Sequence, residues 1–122
     1  MSRITDAAST TVQYYYQLVD ANDVDGLLDL FAPDAVYHRP GYDPLIGRAE
    51  LERFYGADRV IAEGTHSLHT VVACDDKVAA HGEFSGTLKD GSQVTLRFAD
   101  FFAVREDGRF ARRDTFFFSP MV

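Results

Sequence analysis

The sequence predicts an α+β domain, with three helices in the first half followed by a curved, mainly antiparallel sheet that carries them on one face. Two observations predict it. As far as Ile61 the apolar residues recur at spacings of three and four, and from Thr65 onward they alternate. The second half is also punctuated by turn signals at Asp75-Asp76, Lys89-Asp90-Gly91 and Glu106-Asp107-Gly108. Asp-Gly pairs of this kind close tight hairpins. A chain of 122 residues suits one domain over 1–122.

The elements follow in order. Ile4, Ala8, Thr11, Val12, Tyr15, Leu18 and Val19 make the apolar stripe of a first helix over residues 3–22. Thr5 or Asp6 would cap a slightly later start. Tyr15 lies at the centre of that stripe, and Tyr14 and Tyr16 fall about 100° to either side. Asn22 or Asp23 caps a short second helix with Leu27, Leu28, Leu30 and Phe31 as its apolar side. Ala32-Pro33-Asp34 ends it, because proline cannot continue the hydrogen-bond ladder. Residues 35–39 form a short strand, and the following PGYDPLIG, rich in proline and glycine, is a loop. Gly47 opens a third helix from Arg48 to about Val60, with Leu51, Phe54, Tyr55 and Ile61 facing inward. Strands at 65–74, 77–88, 93–104 and 109–119 complete an antiparallel meander. They are long, so the sheet should curve, with Gly82 and Gly86 as bending points.

Composition narrows the function. Twelve basic against 19 acidic residues leave a net charge of −7, which argues against nucleic acid or an anionic membrane as partner. The single cysteine, Cys74, excludes an internal disulfide and a cysteine-based zinc site. No apolar run approaches the roughly 20 residues of a membrane span. The N-terminal MSRITDAAST lacks a signal peptide's apolar core, so a cytoplasmic location is expected. His38, His66, His69 and His81 show no H-x-H or HExxH spacing. Neither a metal nor another cofactor is therefore expected.

The strongest local signal lies in VTLRFADFFAV. Val94, Leu96, Phe98, Phe102 and Val104 share one strand face, and Asp100 interrupts it. A carboxylate on an apolar face must be partnered or protonated. It is either an acid in the wall of a pocket or a structural aspartate paired with Arg39, Arg97 or Arg113, of which Arg97 should point to the opposite face. Ten phenylalanines and no tryptophan, with Tyr42 and Tyr55 beside Phe98, Phe102 and Phe117, suit a cavity for a flat apolar ligand. The same rings would also serve as plain core.

The segments YYQLVDANDVDGLLDLFAPDAVYHRPG, PLIGRAELERFY and RFADFFAVREDGRF resemble the nuclear transport factor 2-like superfamily, and within it the SnoaL-like and ketosteroid isomerase-like groups. The resemblance spans nearly the whole chain. It implies a conical α+β barrel, a small apolar ligand and a homodimer formed through the outer face of the sheet. Activity is left open, since the superfamily includes isomerases, cyclases, dehydratases, epoxide hydrolases and non-catalytic binding modules.

In ketosteroid isomerase a tyrosine and a neutral aspartic acid donate hydrogen bonds to a forming enolate while a second aspartate moves the proton. The resemblance places Tyr15 and Asp100 on the two donor positions and Arg39 on the position of the base. Arginine cannot act as a base near neutral pH. Arg39 is instead expected to face Asp100 and hold it ionised as an acceptor or base, or to hold a substrate carboxylate or enolate. An inward histidine then becomes the candidate base, His66 or His81, an arrangement similar to scytalone dehydratase. The isomerase frame turns Arg113, Thr115 and Phe117 toward the pocket and Asp114 outward; an epoxide hydrolase-like frame reverses that.

Two functions are carried forward. One is a cofactor-independent enzyme that moves a proton on an apolar carbonyl or polycyclic substrate, as an isomerase, cyclase or dehydratase. Asp100 would be acid or base, Tyr15 a donor, Arg39 an electrostatic anchor and His66 the candidate base, with Tyr42, Tyr55, Phe98, Phe102, Arg113, Thr115 and Phe117 binding substrate. The other is a non-catalytic small-ligand-binding or dimerisation domain.

Overall fold

The computed structural model describes residues 3–119, with side chains described from Asp6 onward. Ile4 and the Thr5 cap therefore lie outside the described side chains. Helix α1 runs Arg3–Asp20 and α2 Val24–Leu28, followed by strand β1 at Phe31–His38 and β2 at Leu45–Ile46. Helix α3 at Arg48–Arg53 passes into a π-helical turn at Phe54–Asp58. Strands β3 at Ile61–Cys74, β4 at Lys77–Leu88, β5 at Gln93–Val104 and β6 at Phe110–Phe117 follow. Among the described residues the six strands make one sheet in the order β2-β1-β6-β5-β4-β3. Strands β3 to β6 are the expected antiparallel meander. The inner face covers α1, and the core between them includes Val12, Tyr15, Leu27, Leu51, Phe102 and Phe110. No helix among the described residues is long and apolar enough to cross a membrane.

The departures from expectation cluster around proline and around the ends of elements. The Asp23 side chain caps α2 by accepting from the Gly26 N–H at 3.0 Å. That helix is only five residues long and stops at Leu28. Leu30 lies in the connecting turn, and Phe31 opens β1. Pro33, expected to end a helix, instead lies inside a strand. It is tolerated because β1 pairs in parallel with β6 and the register breaks between Phe31 and Val36. A bulge needs no ladder N–H from the proline. The proline-rich loop also holds a two-residue strand, where Val36 and Tyr37 pair with Ile46 and Leu45.

Strand β3 starts at Ile61 rather than at 65, and so pairs with β4 from end to end. The two strands bend together. A Cβ on Gly82 would strike the Ser67 carbonyl, and one on Gly86 would strike the Glu63 carbonyl. Both positions face register breaks in β3, at Leu68/Thr70 and Ile61/Glu63. The curvature therefore depends on residues that let two backbones approach closely.

Candidate functional site

The alternation on β5 places Phe98, Asp100, Phe102 and Val104 inward and leaves Phe101 exposed. Asp100 has no exposed surface. Its partner is Arg113 on the neighbouring β6, not Arg39. Arg113 Nε donates to Asp100 Oδ1 at 3.1 Å and Nη2 donates to Oδ2 at 2.9 Å. Thr115 adds a hydrogen bond to Oδ1, and the Tyr16 hydroxyl adds one to Oδ2. The register makes this arrangement possible, since Asp100 pairs with Thr115 and Phe102 with Arg113. A carboxylate offers about four acceptor positions, and here all are filled. Asp100 is thus an ionised acceptor, neither a neutral donor nor a base with a free lone pair. It also does not line the cavity, and nor does Phe102, which belongs to the core.

Arg113 carries the charge of Asp100 toward the interior surface. Burial works most strongly against its cationic form, but the Asp100 carboxylate together with the Tyr15, Tyr37 and Tyr55 hydroxyls more than offsets it and holds the pKa well above the ordinary value. Its remaining terminal nitrogen, Nη1, donates to the Tyr15 hydroxyl at 2.5 Å and to the Tyr55 hydroxyl at 3.2 Å. The Tyr15 and Tyr55 hydroxyls also bond to each other. Arginine only donates, so among the described residues the one acceptor bonded to the Tyr15 hydroxyl is Tyr55. The chain therefore runs Arg113 to Tyr15 to Tyr55, and the Tyr55 proton is left for the cavity. Burial pushes Tyr15 far above the ordinary tyrosine range, with Arg113 opposing. Burial, then the nearby Asp100 charge, does the same to Tyr16. Tyr37 is pushed up to about 12, again by burial and against Arg113. These are neutral tyrosines that donate or accept without ionising.

Tyr55 stands on the π-helical turn after α3. The wider turn presents both Phe54 and Tyr55 to Tyr37, with ring centroids 6.0 and 6.4 Å away. Turns of this type recur at functional sites.

His66 on β3 supplies a second polar group. Its Nδ1 lies 2.6 Å from Asp20 Oδ1, and its backbone N–H donates to Asp20 Oδ2 at 2.8 Å. A carboxylate at Nδ1 keeps the proton on that nitrogen and leaves Nε2 with the lone pair. The ring packs against Phe84, Tyr16 and Phe98, with centroids 4.7, 5.1 and 5.4 Å away. His81, the other candidate base, lies on the outer face beside His69 and Phe118.

A cavity of about 380 Å³ unites these groups. Of the residues singled out in the sequence, Tyr15, Arg39, Tyr42, Tyr55, His66, Phe98, Arg113, Thr115 and Phe117 contribute to its wall. Tyr37, Val19, Phe54 and Leu96 join them. Arg39 does not meet Asp100; its guanidinium carbon lies over the rings of Phe54 and Tyr42, 4.3 and 4.5 Å from their centroids. The isomerase frame for β6 holds, since Arg113 and Thr115 are buried inward. Asp114 meets Arg112 away from the cavity.

Sequence reading missed Asp20, Tyr16 and Tyr37. Tyr16 had been placed 100° off the buried stripe, yet it is only 2 % exposed. The curved sheet wraps far enough around α1 to bury that flank as well. Asp20 carried a weak signal as an acid at the end of a helix, where the macrodipole disfavours negative charge.

A family model described as a SnoaL-like domain matches residues 12–113. The orange carotenoid-binding protein of Limnospira maxima is 28 % identical over 105 residues, which cover 79 % of this chain and 32 % of that protein. The chain thus spans about a third of that relative's length. Among solved structures, the epoxide hydrolase/cyclase-like enzyme SalBIII, of pyran ring formation in polyether salinomycin, superposes with a TM-score of 0.81. It is 22 % identical, over 91 % of this chain and 90 % of that one. A nuclear transport factor 2-like protein of unknown function from Burkholderia pseudomallei gives 0.83 at 21 % identity, over 97 % and 92 % of the two chains. At these identities the structural likeness establishes the fold.

Proposed function

The chain belongs to the SnoaL-like family, and from that premise we propose that it is a cofactor-independent proton-transfer enzyme. It acts as an isomerase, cyclase or dehydratase on an apolar carbonyl or polycyclic small molecule. The observation that carries this reading is the presence of an aspartate-backed histidine and an arginine-polarised tyrosine on the wall of one small cavity.

The chemistry follows from the two groups. His66 Nε2 takes a proton from carbon or from a hydroxyl, and Asp20 stabilises the imidazolium that forms. The electron pair released moves toward the substrate oxygen. Tyr55 donates to that oxygen, and Tyr15 and Arg113 strengthen the donation by bonding to Tyr55. The proton then returns from His66 to the new position, or leaves with water in a dehydration. Asp100 is a positioning residue that orients Arg113. The cavity volume falls within the roughly 300–1,000 Å³ usual for small-molecule sites.

The test is solvent deuterium exchange at the α-carbon of bicyclic ketones such as 2-tetralone, followed by NMR. We expect exchange above the buffer rate, reduced about 10²-fold or more by His66→Gln and about 10²-fold by Tyr55→Phe. A panel in which the native protein never exceeds buffer, or in which His66→Gln matches it, would overturn the assignment.

A second reading is favoured by the carotenoid-binding relative: a domain that shelters an apolar ligand without reaction. Tight binding of polycyclic ketones with no exchange would select it. An epoxide hydrolase-like reaction built on Arg113 and Asp114 has less support, because Asp114 pairs with Arg112 and does not line the cavity.

A further inference from the structure

We propose that the ligand of this cavity bears a carboxylate beside its apolar rings, and that Arg39 binds that carboxylate at the cavity wall. The inference rests on the small-molecule reading above but not on any reaction there.

The cavity wall contains Arg39, Arg59 and Arg113. Arg113 is fully committed, through Nε and Nη2 to Asp100 and through Nη1 to Tyr15 and Tyr55. Arg59 also lines the wall, but it has no buried nitrogen left without a partner. Arg39 differs from both. Its guanidinium carbon lies over the rings of Phe54 and Tyr42, contacts that restrain the cation while its N–H groups remain for bonding. Among the described residues it joins no ion pair. Its Nε is buried and has no hydrogen-bond partner.

A buried donor without an acceptor is costly and calls for an explanation. It is the more notable in a chain with a net charge of −7, where acidic partners are plentiful. A planar fork of donors matches a carboxylate, which accepts two parallel N–H bonds. A ketone or hydroxyl would fill only part of that fork. The two rings continue the apolar wall up to the cation, so rings and carboxylate would be recognised side by side.

The experiment is calorimetric titration with 2-naphthoate and with its neutral isostere 2-acetylnaphthalene. Naphthoate should bind more tightly to the native protein. Arg39→Leu should weaken naphthoate about tenfold or more while changing the neutral ketone by less than about twofold. Arg39→Lys keeps the charge but not the fork, and should restore only part of the loss; an amide NMR spectrum checks that both variants fold. Naphthoate affinity unchanged in Arg39→Leu, equal losses for both ligands, or no naphthoate binding to the native protein would each overturn the proposal. Carboxylate binding without ketone exchange would retain this inference while removing the catalytic one.

Discussion

At Asp100 a buried carboxylate, a buried guanidinium, a threonine and a tyrosine satisfy one another completely, so each side chain depends on the rest. Asp100→Asn removes the charge that holds Arg113 and leaves a buried cation unpaired. A loss of about 3–5 kcal/mol of stability is expected in urea denaturation. The double variant Asp100→Leu, Arg113→Met should recover most of that loss, because no bare charge is left in the interior. The tyrosines give a second prediction. Burial raises Tyr15, Tyr16 and Tyr37 above the ordinary range, with Tyr37 at about 12. The folded state therefore holds these protons more tightly than the unfolded state does. Their stabilisation is complete below the unfolded value of about 10 and declines as pH rises beyond it. Ultraviolet titration should show three tyrosines resisting ionisation near pH 10 until the protein unfolds; prompt ionisation of all six would contradict the burial. Asp100 was visible in the sequence because alternation makes an interruption obvious. Its partner was not, because alternation sets aside Arg97 but leaves Arg39 and Arg113 equivalent until the β5–β6 register is known. Asp20 and Tyr16 act across 46 and 84 residues of sequence, on His66 and Asp100 respectively, and no local pattern records such contacts.

The elements that matter most to the site are those that depart from regularity. Strand β4 bends where Gly82 and Gly86 bring their backbones against β3. Gly82→Ala places a methyl group on the Ser67 carbonyl. The cost should be about 1–3 kcal/mol, and thermal melting should show it far more clearly than Gly56→Ala on the π-helical turn, where a Cβ has nothing within 4 Å. The meander was legible to the residue for β4 and β5, because alternation and Asp-Gly turns fix both ends. Only the second half of strand β1 was legible, as the short strand at 35–39; its start was not, since proline usually marks a boundary and here occupies a bulge beside a parallel neighbour. The π-helical turn was also hidden. Phe54 and Tyr55 fit the inward stripe of an ordinary helix equally well, and only tertiary packing selects the wider turn that delivers the Tyr55 hydroxyl.

For the molecule as a whole, the outer face of the sheet remains uncovered. Val72, Ala79, Phe101 and Asp114 form one cross-strand row, and Thr70, His81, Ala99 and Phe116 form another. Val72, Phe101 and Phe116 are each more than half exposed. Contiguous exposed apolar surface of this kind marks an interaction face, and the homodimer implied by the family resemblance would cover it. Light scattering should give a dimer mass, and Phe101→Glu with Phe116→Glu should give a monomer; a native monomer would refute the association. The sheet order has one more consequence, for the sequence in which the chain is synthesised. Strand β6 lies between β1 and β5 and carries Arg113, so β1 leaves the ribosome long before its inner neighbour exists. During that interval Phe31 and Tyr37 have no β6 to pair with, and the tyrosine hydroxyls have no guanidinium to organise them. Long-range pairing of this kind folds slowly. The cavity and the sheet that encloses it must therefore assemble together and late, so a nascent chain has no stage at which the site is formed and the domain is not.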